Sequence, residues 1–110
     1  MEKFIKGDIV VLPFAFSDLS ASKRRPALVS ANLNGDDIIL CQITSKNVND
    51  KYSVQVSSKD FIEGTIEVES NIRPNRIFTA DKNIIIRRIG NVKNDIHGKV
   101  VDKIVELIKI

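Results

Sequence analysis

Several chemically important residue types are scarce in this chain of 110 residues, which has one histidine, one cysteine and no tryptophan. His97 and Cys41 cannot build the four-ligand site of a usual zinc ion, and a lone cysteine cannot close a disulfide within the chain. Nothing in the sequence ties His97 to Cys41, which disfavours a histidine-activated nucleophile. We therefore expect neither a metal nor another cofactor.

The sequence also lacks phosphate-binding loops and long apolar runs. Its five glycines are isolated, so no glycine-rich nucleotide-binding motif is present. Apolar stretches such as residues 38–41 are far shorter than the ~18 residues that cross a bilayer. The N-terminus carries charges where a secretory signal is apolar. We expect a cytoplasmic protein with no membrane association.

Isoleucine and valine dominate the apolar residues, with 17 and 11 copies. Both are β-branched and favour strands. We predict turns at Gly7 and at Asn34-Gly35, and an edge or a kink where Pro13 and Pro74 interrupt their strands. The predicted strands cover residues 9–12, 27–30, 38–43, 52–56, 65–68, 72–79 and 88–92.

The C-terminal segment has the spacing of a helix. From Asp95 onward apolar residues recur three or four apart, with Asn94 or Asp95 as the expected N-cap and His97 as a surface or helix-packing residue. We predict a loop at residues 17–23 and short helical turns near Phe61 and Ile84. The expected architecture is one mainly β domain over residues 1–110, a small antiparallel sheet or barrel closed by a C-terminal helix.

The arginines are clustered, although the net charge is only +3. A planar guanidinium matches phosphate and carboxylate oxygens, so clustered arginines indicate directed contacts with anions. For the last of the three pairs we favour a solvated strand end. The pairs are Arg24 and Arg25, Arg73 and Arg76, and Arg87 and Arg88.

The predicted hairpin brings Arg25 and Thr44 close to each other. If strands 27–30 and 38–43 pair around Asn34-Gly35, both residues lie at one end of the sheet and can face one phosphate. RNA cleavage suits such groups, because the substrate carries its own nucleophile, the 2′-hydroxyl, and the enzyme must align it and stabilise charge. The alternatives are turn capping by Thr44 and Ser45 and a surface salt bridge at Arg25.

Four sequence blocks stand in order along the chain: Lys6-Gly7-Asp8-Ile9-Val10, Arg25-Pro26-Ala27-Leu28-Val29, Ile43-Thr44-Ser45 and Ile72-Arg73-Pro74-Asn75-Arg76-Ile77-Phe78-Thr79. Together they resemble the MazF/PemK/Kid family of toxin endoribonucleases. The resemblance implies a small SH3-like barrel of the CcdB/PemK type, assembled as a homodimer with RNA across its interface. It also implies metal-independent, ribosome-independent cleavage of single-stranded RNA at short specific sequences, leaving a 2′,3′-cyclic phosphate, and a cognate antitoxin that is acidic and partly disordered.

The resemblance assigns catalytic roles to matching residues. Arg25 would shuttle a proton and hold the charge of the phosphorane, Thr44 would hydrogen-bond the scissile phosphate, and Arg73 matches a second active-site arginine of the PemK/Kid branch. Asn75 stands where that branch often has an aspartate, and an asparagine cannot act as a general base.

The loop at residues 17–23 lacks the common Gly-Ser-Glu of the family, so the RNA sequence preference is not transferable. Its nearest acidic substitute is Asp18. We expect contacts with RNA from Lys23, Arg24, Ser45, Asn75, Arg76 and Asp18.

Binding functions remain as alternatives. One is a CcdB-like protein that poisons gyrase, although Lys109-Ile110 offers no aromatic or glycine-rich anchor of the kind expected at that C-terminus. Another is a catalytically degenerate member that binds only RNA or its antitoxin, and a third is an SH3-like nucleic-acid adaptor.

Overall fold

The structure, a computed structural model, describes residues 3–15, 22–47 and 50–109. Its elements are β1 (Asp8–Ala15), β2 (Ser22–Asn32), β3 (Asp37–Thr44), β4 (Val54–Val56), β5 (Phe61–Gly64), β6 (Ser70–Asp81), β7 (Arg87–Val92) and α1 (Asn94–Ile108). Two short 3-10 helices, Ser58–Asp60 and Lys82–Ile84, match the expected helical turns. Asp18 and most of the loop expected at residues 17–23 lie outside the described residues, and β2 already begins at Ser22.

The strands form a single antiparallel sheet in the order β4-β6-β3-β2-β1-β7-β5. The sheet curls, and the described chain measures 32 × 31 × 31 Å along its principal axes. Helix α1 packs against β6 and β4. The predicted fold class, mainly β with a C-terminal helix, is confirmed.

Alternation along the central strands divides the core between two faces of the sheet. Ile9, Leu28 and Cys41 point into one cluster of buried side chains, which α1 covers with Ile96 and Val100. The neighbouring residues in the same strands point to the opposite face, where a second cluster contains Val10, Val29 and Leu40. Strand β3 is apolar on both faces for this reason, as a central strand should be.

The prolines lie where β pairing is interrupted. Strand β7 pairs with β1 only as far as Val11, so Pro13 lies beyond the region where β1 has neighbours on both sides. In β6, Ile72 pairs with Ile43 and Ile77 with Cys41, so four residues of β6 oppose the single residue between them in β3. This bulge consists of Arg73, Pro74, Asn75 and Arg76, and it confirms the predicted kink.

The strand predicted at residues 65–68 is wrong, because the strand in this region is β5 and ends at Gly64. Gly64 has φ of +74°, and a Cβ placed there would lie 2.1 Å from the carbonyl oxygen of Ile89. Glycine can turn the chain at this point while lying against β7. The β-branched residues that follow it therefore belong to a turn rather than a strand.

Helix α1 begins one residue earlier than its sequence indicates. The N-cap is Lys93, whose carbonyl accepts hydrogen bonds from the N–H groups of Ile96 (3.0 Å) and His97 (3.3 Å), so Asn94 and Asp95 are already helical. His97 Nε2 lies 3.1 Å from the carbonyl oxygen of Ser30, which makes His97 a helix-packing residue. No helix within the described ranges is long and apolar enough to cross a membrane.

An ion pair with a buried carboxylate joins β1, the first strand of the chain, to β7, the last. Asp8 is only 1% exposed and accepts hydrogen bonds at 2.9 Å from Arg88 Nε, Asn91 Nδ2 and the N–H of Ile5. Arg88 also pairs with Glu63 of β5. The solvated strand end expected for Arg87 and Arg88 is therefore wrong for Arg88, because a buried carboxylate needs a cationic partner.

Candidate active site

The predicted catalytic residues Arg25 and Thr44 lie at one end of the β2–β3 hairpin. Paired residues run up to Ala27 and Gln42. The same register, continued by two residues, places Arg25 opposite Thr44. Arg25 also pairs with Leu12 of β1, and directly opposed residues project from one face of a sheet. Both side chains are half-buried. The hairpin geometry predicted from the sequence thus brings them to the same face.

Arg73 lies near this end of the sheet through β6. Thr44 pairs with Asn71, and Arg73 follows Asn71 by two residues, at the start of the bulge, where it is half-buried. Strand spacing and rise place the Cα atoms of Thr44 and Arg73 within roughly 10 Å of each other. Asn71 Nδ2 donates to the carbonyl oxygen of Lys46 at 3.2 Å and ties the end of β3 to β6.

Thr44 also has a structural contact. Its Oγ1 accepts a hydrogen bond from the N–H of Lys46 at 3.2 Å, so the turn-capping alternative raised by the sequence is observed. A hydroxyl has one donor and two acceptor lone pairs. Its proton remains available to an oxygen of a phosphate, and capping does not exclude the catalytic role.

Arg73 is paired with a carboxylate that the sequence analysis missed. Its Nη2 lies 3.6 Å from Asp50 Oδ2, and Asp50 Oδ1 accepts hydrogen bonds from the N–H groups of Tyr52 (3.1 Å) and Ser53 (2.8 Å). Desolvation acts to raise the pKa of Asp50, but hydrogen bonds from Ser53 and Tyr52 and the charge of Arg73 outweigh it and hold that pKa below its ordinary value. An aspartate followed by serine at i+3 indicates a turn, but no local signal links it to an arginine 23 positions away.

A groove of about 740 Å³ lies at the same end of the sheet. Val11 of β1 pairs with Pro26 of β2 on one side and with Arg87 of β7 on the other, and all three residues line the groove. The charge of Arg88 is already balanced by Asp8 and Glu63. The groove is lined by residues that include Arg24, Arg25, Ser45, Ile66, Ile86 and Arg87.

The remaining expected RNA contacts are spread around this region. Lys23 is exposed in β2, next to Arg24. Asn75 and Arg76 are exposed on the β6 bulge and do not line the groove. Asp18 cannot be placed, because it lies outside the described residues. Of the expected RNA contacts, Arg24 and Ser45 therefore line one groove, whereas Lys23, Asn75 and Arg76 do not line it.

Cys41 and His97 meet at Ser30, a link that the sequence did not indicate. Cys41 Sγ lies 3.3 Å from Ser30 Oγ, and His97 contacts the carbonyl oxygen of the same residue. Cys41 is fully buried, and desolvation raises the pKa of its thiol despite the hydrogen bond with Ser30. A buried protonated thiol is not a nucleophile. In the described parts of the chain, no three His, Cys, Asp or Glu side chains are grouped so that they could hold a metal ion.

Solved structures show the same fold. An endoribonuclease in complex with its cognate antitoxin from Mycobacterial species superposes with a TM-score of 0.78 at 12% identity, covering 98% of this chain and 97% of that one. MazF in a MazE–MazF crystal structure from Deinococcus radiodurans gives 0.77 at 19% identity, with 96% of each chain covered. Mycobacterium tuberculosis toxin MazF-mt6 gives 0.73 at 15% identity, with 94% of this chain and 97% of that one covered. A search of curated protein sequences finds no match.

The amino-acid sequence also matches a protein-family model. The model of the PemK-like, MazF-like toxin of type II toxin–antitoxin systems matches residues 5–108, nearly the whole chain. The match includes the four sequence blocks, the arginine-bearing bulge and the C-terminal helix. The resemblance first seen in those blocks is thereby confirmed, and this chain belongs to the PemK-like, MazF-like family of type II toxins.

Proposed function

We propose that this chain is an endoribonuclease that cleaves single-stranded RNA, acting as the toxin of a type II toxin–antitoxin system. The observation that carries the proposal is that Arg25, Thr44 and Arg73 lie at the same end of the sheet. These residues come from β2, β3 and β6, and each lies in a block shared with the family. A site assembled from three strands is preorganised by the sheet itself.

The proposed chemistry uses the 2′-hydroxyl of the RNA as the nucleophile. It attacks the adjacent phosphorus, the bond to the 5′-oxygen of the next nucleotide breaks, and a 2′,3′-cyclic phosphate remains. Arg25 donates a proton to the departing 5′-oxygen and recovers one from the attacking 2′-hydroxyl, and with Arg73 it stabilises the added negative charge of the phosphorane. Thr44 donates a hydrogen bond to a phosphate oxygen. This cleavage needs no metal, because the substrate supplies the nucleophile and the guanidinium groups supply the positive charge.

The RNA on either side of the scissile phosphate is proposed to follow the charged end of the sheet. Arg24 and Ser45 line the groove described above, and Lys23, Asn75 and Arg76 are exposed outside it. Arginine and lysine contacts with phosphates act largely independently of base identity. The short recognition sequence is then determined by other contacts, to which Asp18 is expected to contribute.

The proposed setting is that of the family. The 1–110 chain is one toxin domain that works as a cytoplasmic homodimer and is inhibited by an acidic, partly disordered antitoxin. Structures of similar fold include an endoribonuclease bound to its cognate antitoxin and the MazE–MazF complex. An acidic partner complements the arginines at the sheet end.

The test is incubation of the purified protein with a long RNA in EDTA. We expect cleavage that persists in the chelator and leaves 2′,3′-cyclic phosphate ends. Arg25→Ala and Thr44→Ala should each lower the rate by about 100-fold or more, since the loss of one transition-state donor has an effect of that size. Thr79→Ala, an exposed threonine of β6 away from the site, serves as the control and should cleave at the wild-type rate.

Strict dependence on added metal would refute the proposed chemistry. Undiminished cleavage by both variants would show that Arg25 and Thr44 do not form the site. Binding of RNA or antitoxin without any cleavage by the wild-type protein would favour the degenerate binding module instead.

A further inference from the structure

The carboxylate of Asp50 is oriented toward Arg73 by its own loop. Its Oδ1 is occupied by the N–H groups of Tyr52 and Ser53, which leaves Oδ2 directed at the guanidinium, 3.6 Å from Nη2. The Asp50 and Arg73 side chains are 14% and 22% exposed. Such a partly buried pair loses less to solvent screening and side-chain entropy than an exposed ion pair.

The pair leaves hydrogen-bonding capacity unused. Asp50 Oδ2 and Arg73 Nε are buried, and neither has a hydrogen-bond partner among the residues that the structure describes. Buried polar atoms without a partner are rare in proteins and often mark a functional site. Because Asp50 approaches only one terminal nitrogen of Arg73, the other donors of the guanidinium are not engaged by Asp50, and the side chain keeps an exposed part that an anion such as a phosphate can reach.

Asn75, on the same bulge, differs from the residue that related toxins often have at this position. That residue is exposed and uncharged, whereas related toxins of the PemK/Kid branch often have an aspartate there. Arg73 of this chain therefore lacks the acidic neighbour that those toxins have two residues further along β6. It has instead an acidic neighbour that comes from the segment before β4.

We propose that Asp50 is the positioning residue of Arg73 and holds its guanidinium toward the scissile phosphate. This inference rests on the proposed ribonuclease function. Asp50 acts through Arg73 and does not itself touch the RNA. Its low pKa agrees with this role, because a carboxylate that stays ionised is a weak proton acceptor compared with a group that titrates near neutral pH.

A double-mutant cycle tests the inference. Asp50→Asn keeps an oxygen that accepts from Tyr52 and Ser53 but removes the charge that faces Arg73. We expect it to lower kcat for RNA cleavage about 10-fold, with a smaller change in KM, because a misplaced catalytic group loses rate. Arg73→Ala should lose more, and the double variant should cleave within about 3-fold of Arg73→Ala, because the two changes remove the same interaction.

The matched control is Asp60→Asn. Asp60 Oδ2 likewise accepts a backbone hydrogen bond, from Ser57 at 2.9 Å, and no ion pair is recorded for Asp60 in the described structure. This variant should cleave at the wild-type rate. Thermal unfolding of every variant monitors the fold, and Asp50→Ser replaces Asp50→Asn if the latter does not fold, because serine also caps such turns.

The outcomes separate the inference from the function on which it rests. Absence of cleavage by the wild-type protein removes the proposed function and the inference together. Wild-type cleavage with an equally active Asp50→Asn variant overturns only the role of Asp50. If Asp50→Asn lowers the cleavage rate of Arg73→Ala by the same factor as it lowers the rate of the wild type, the role of Asp50 is also overturned. Asp50 would then act through the fold rather than through Arg73.

Discussion

Adjacent arginines at the start of β2 differ in exposure, although both line the groove. Arg25 pairs with Leu12 and is half-buried, whereas Arg24 pairs with Pro13 and is exposed. Alternation of side chains along a strand produces this difference. The proposed site therefore divides the tasks, with Arg25 at the scissile phosphate and Arg24 along the flanking RNA.

Arg24→Ala tests this division. Loss of one phosphate contact should raise KM and reduce the slope of log KM against log salt concentration by about 0.7, as expected for a single-stranded nucleic acid. The value of kcat should stay near that of the wild type, in contrast to Arg25→Ala. Lys99→Ala, an exposed cation of α1, is the control. A fall in kcat with KM and its salt dependence unchanged would contradict the assignment of Arg24 to binding.

Sequence reasoning at the residue scale succeeded where contacts follow from a hairpin. The turn at Asn34-Gly35 and the lengths of β2 and β3 were enough to bring Arg25 and Thr44 to one end of the sheet. The pairing of Asp50 with Arg73 could not be found in this way, because it depends on how the segment before β4 approaches the β6 bulge. Nothing local in either segment encodes that approach.

Among the elements, the contact between β5 and β7 depends on glycine. Gly90 of β7 lies so close to β5 that a Cβ there would stand 2.5 Å from the carbonyl oxygen of Glu63 and 2.7 Å from the ring of Phe61. Phe61 belongs to the buried cluster beneath α1. A side chain at position 90 would push β5 away from the sheet and disturb that cluster.

Gly90→Ala should therefore lower the free energy of unfolding by about 1–3 kcal/mol, the usual cost of overpacking. The matched control is Gly98→Ala in α1, where a new Cβ would meet no atom within 4 Å. That change should raise the free energy of unfolding by about 0.4–1 kcal/mol, because alanine favours the helix and restricts the unfolded chain. Urea denaturation measures both, and equal stabilities for the two variants would argue against the close packing of β5 on β7.

Element types were more predictable than element boundaries. Clusters of isoleucine and valine marked most of the strands, and the apolar spacing after Asp95 marked α1. The same composition gave a false strand at residues 65–68, because the turn that starts at Gly64 also contains β-branched residues. Pro74 signalled a kink, but the size of the bulge was set by the pairing of β6 with β3 on both sides of it.

For the whole molecule, the positions of the charged residues are more informative than the net charge. The net charge of +3 is small, and buried or local pairs consume part of the cationic charge, as at Arg88 with Asp8 and Glu63. The proposed anion site is thus a local cluster of arginines at the sheet end rather than a generally cationic surface. A second copy of the chain would double this site across the interface of a homodimer.

Sedimentation equilibrium tests the homodimer. Nine large apolar side chains of the described residues are at least 42% exposed, among them Ile77 of β6, Ile86 beside the groove and Ile108 of α1. The proposed homodimer would bury some of these side chains at its interface. We expect a mass twice the 12.3 kDa of the chain. A mass that stays at the monomer value as the protein concentration rises would refute the homodimer.

The sequence by itself determined the β-rich class, the C-terminal helix, the scarcity of metal ligands and the blocks that mark the toxin family. These properties depend on composition, periodicity and short-range spacing, which act within a few residues of one another. Only the tertiary structure decided the four-residue bulge, the burial of Asp8 beside Arg88 and the approach of Asp50 to Arg73. Each of these depends on strand register and on the meeting of distant segments, which the packing of the whole sheet selects.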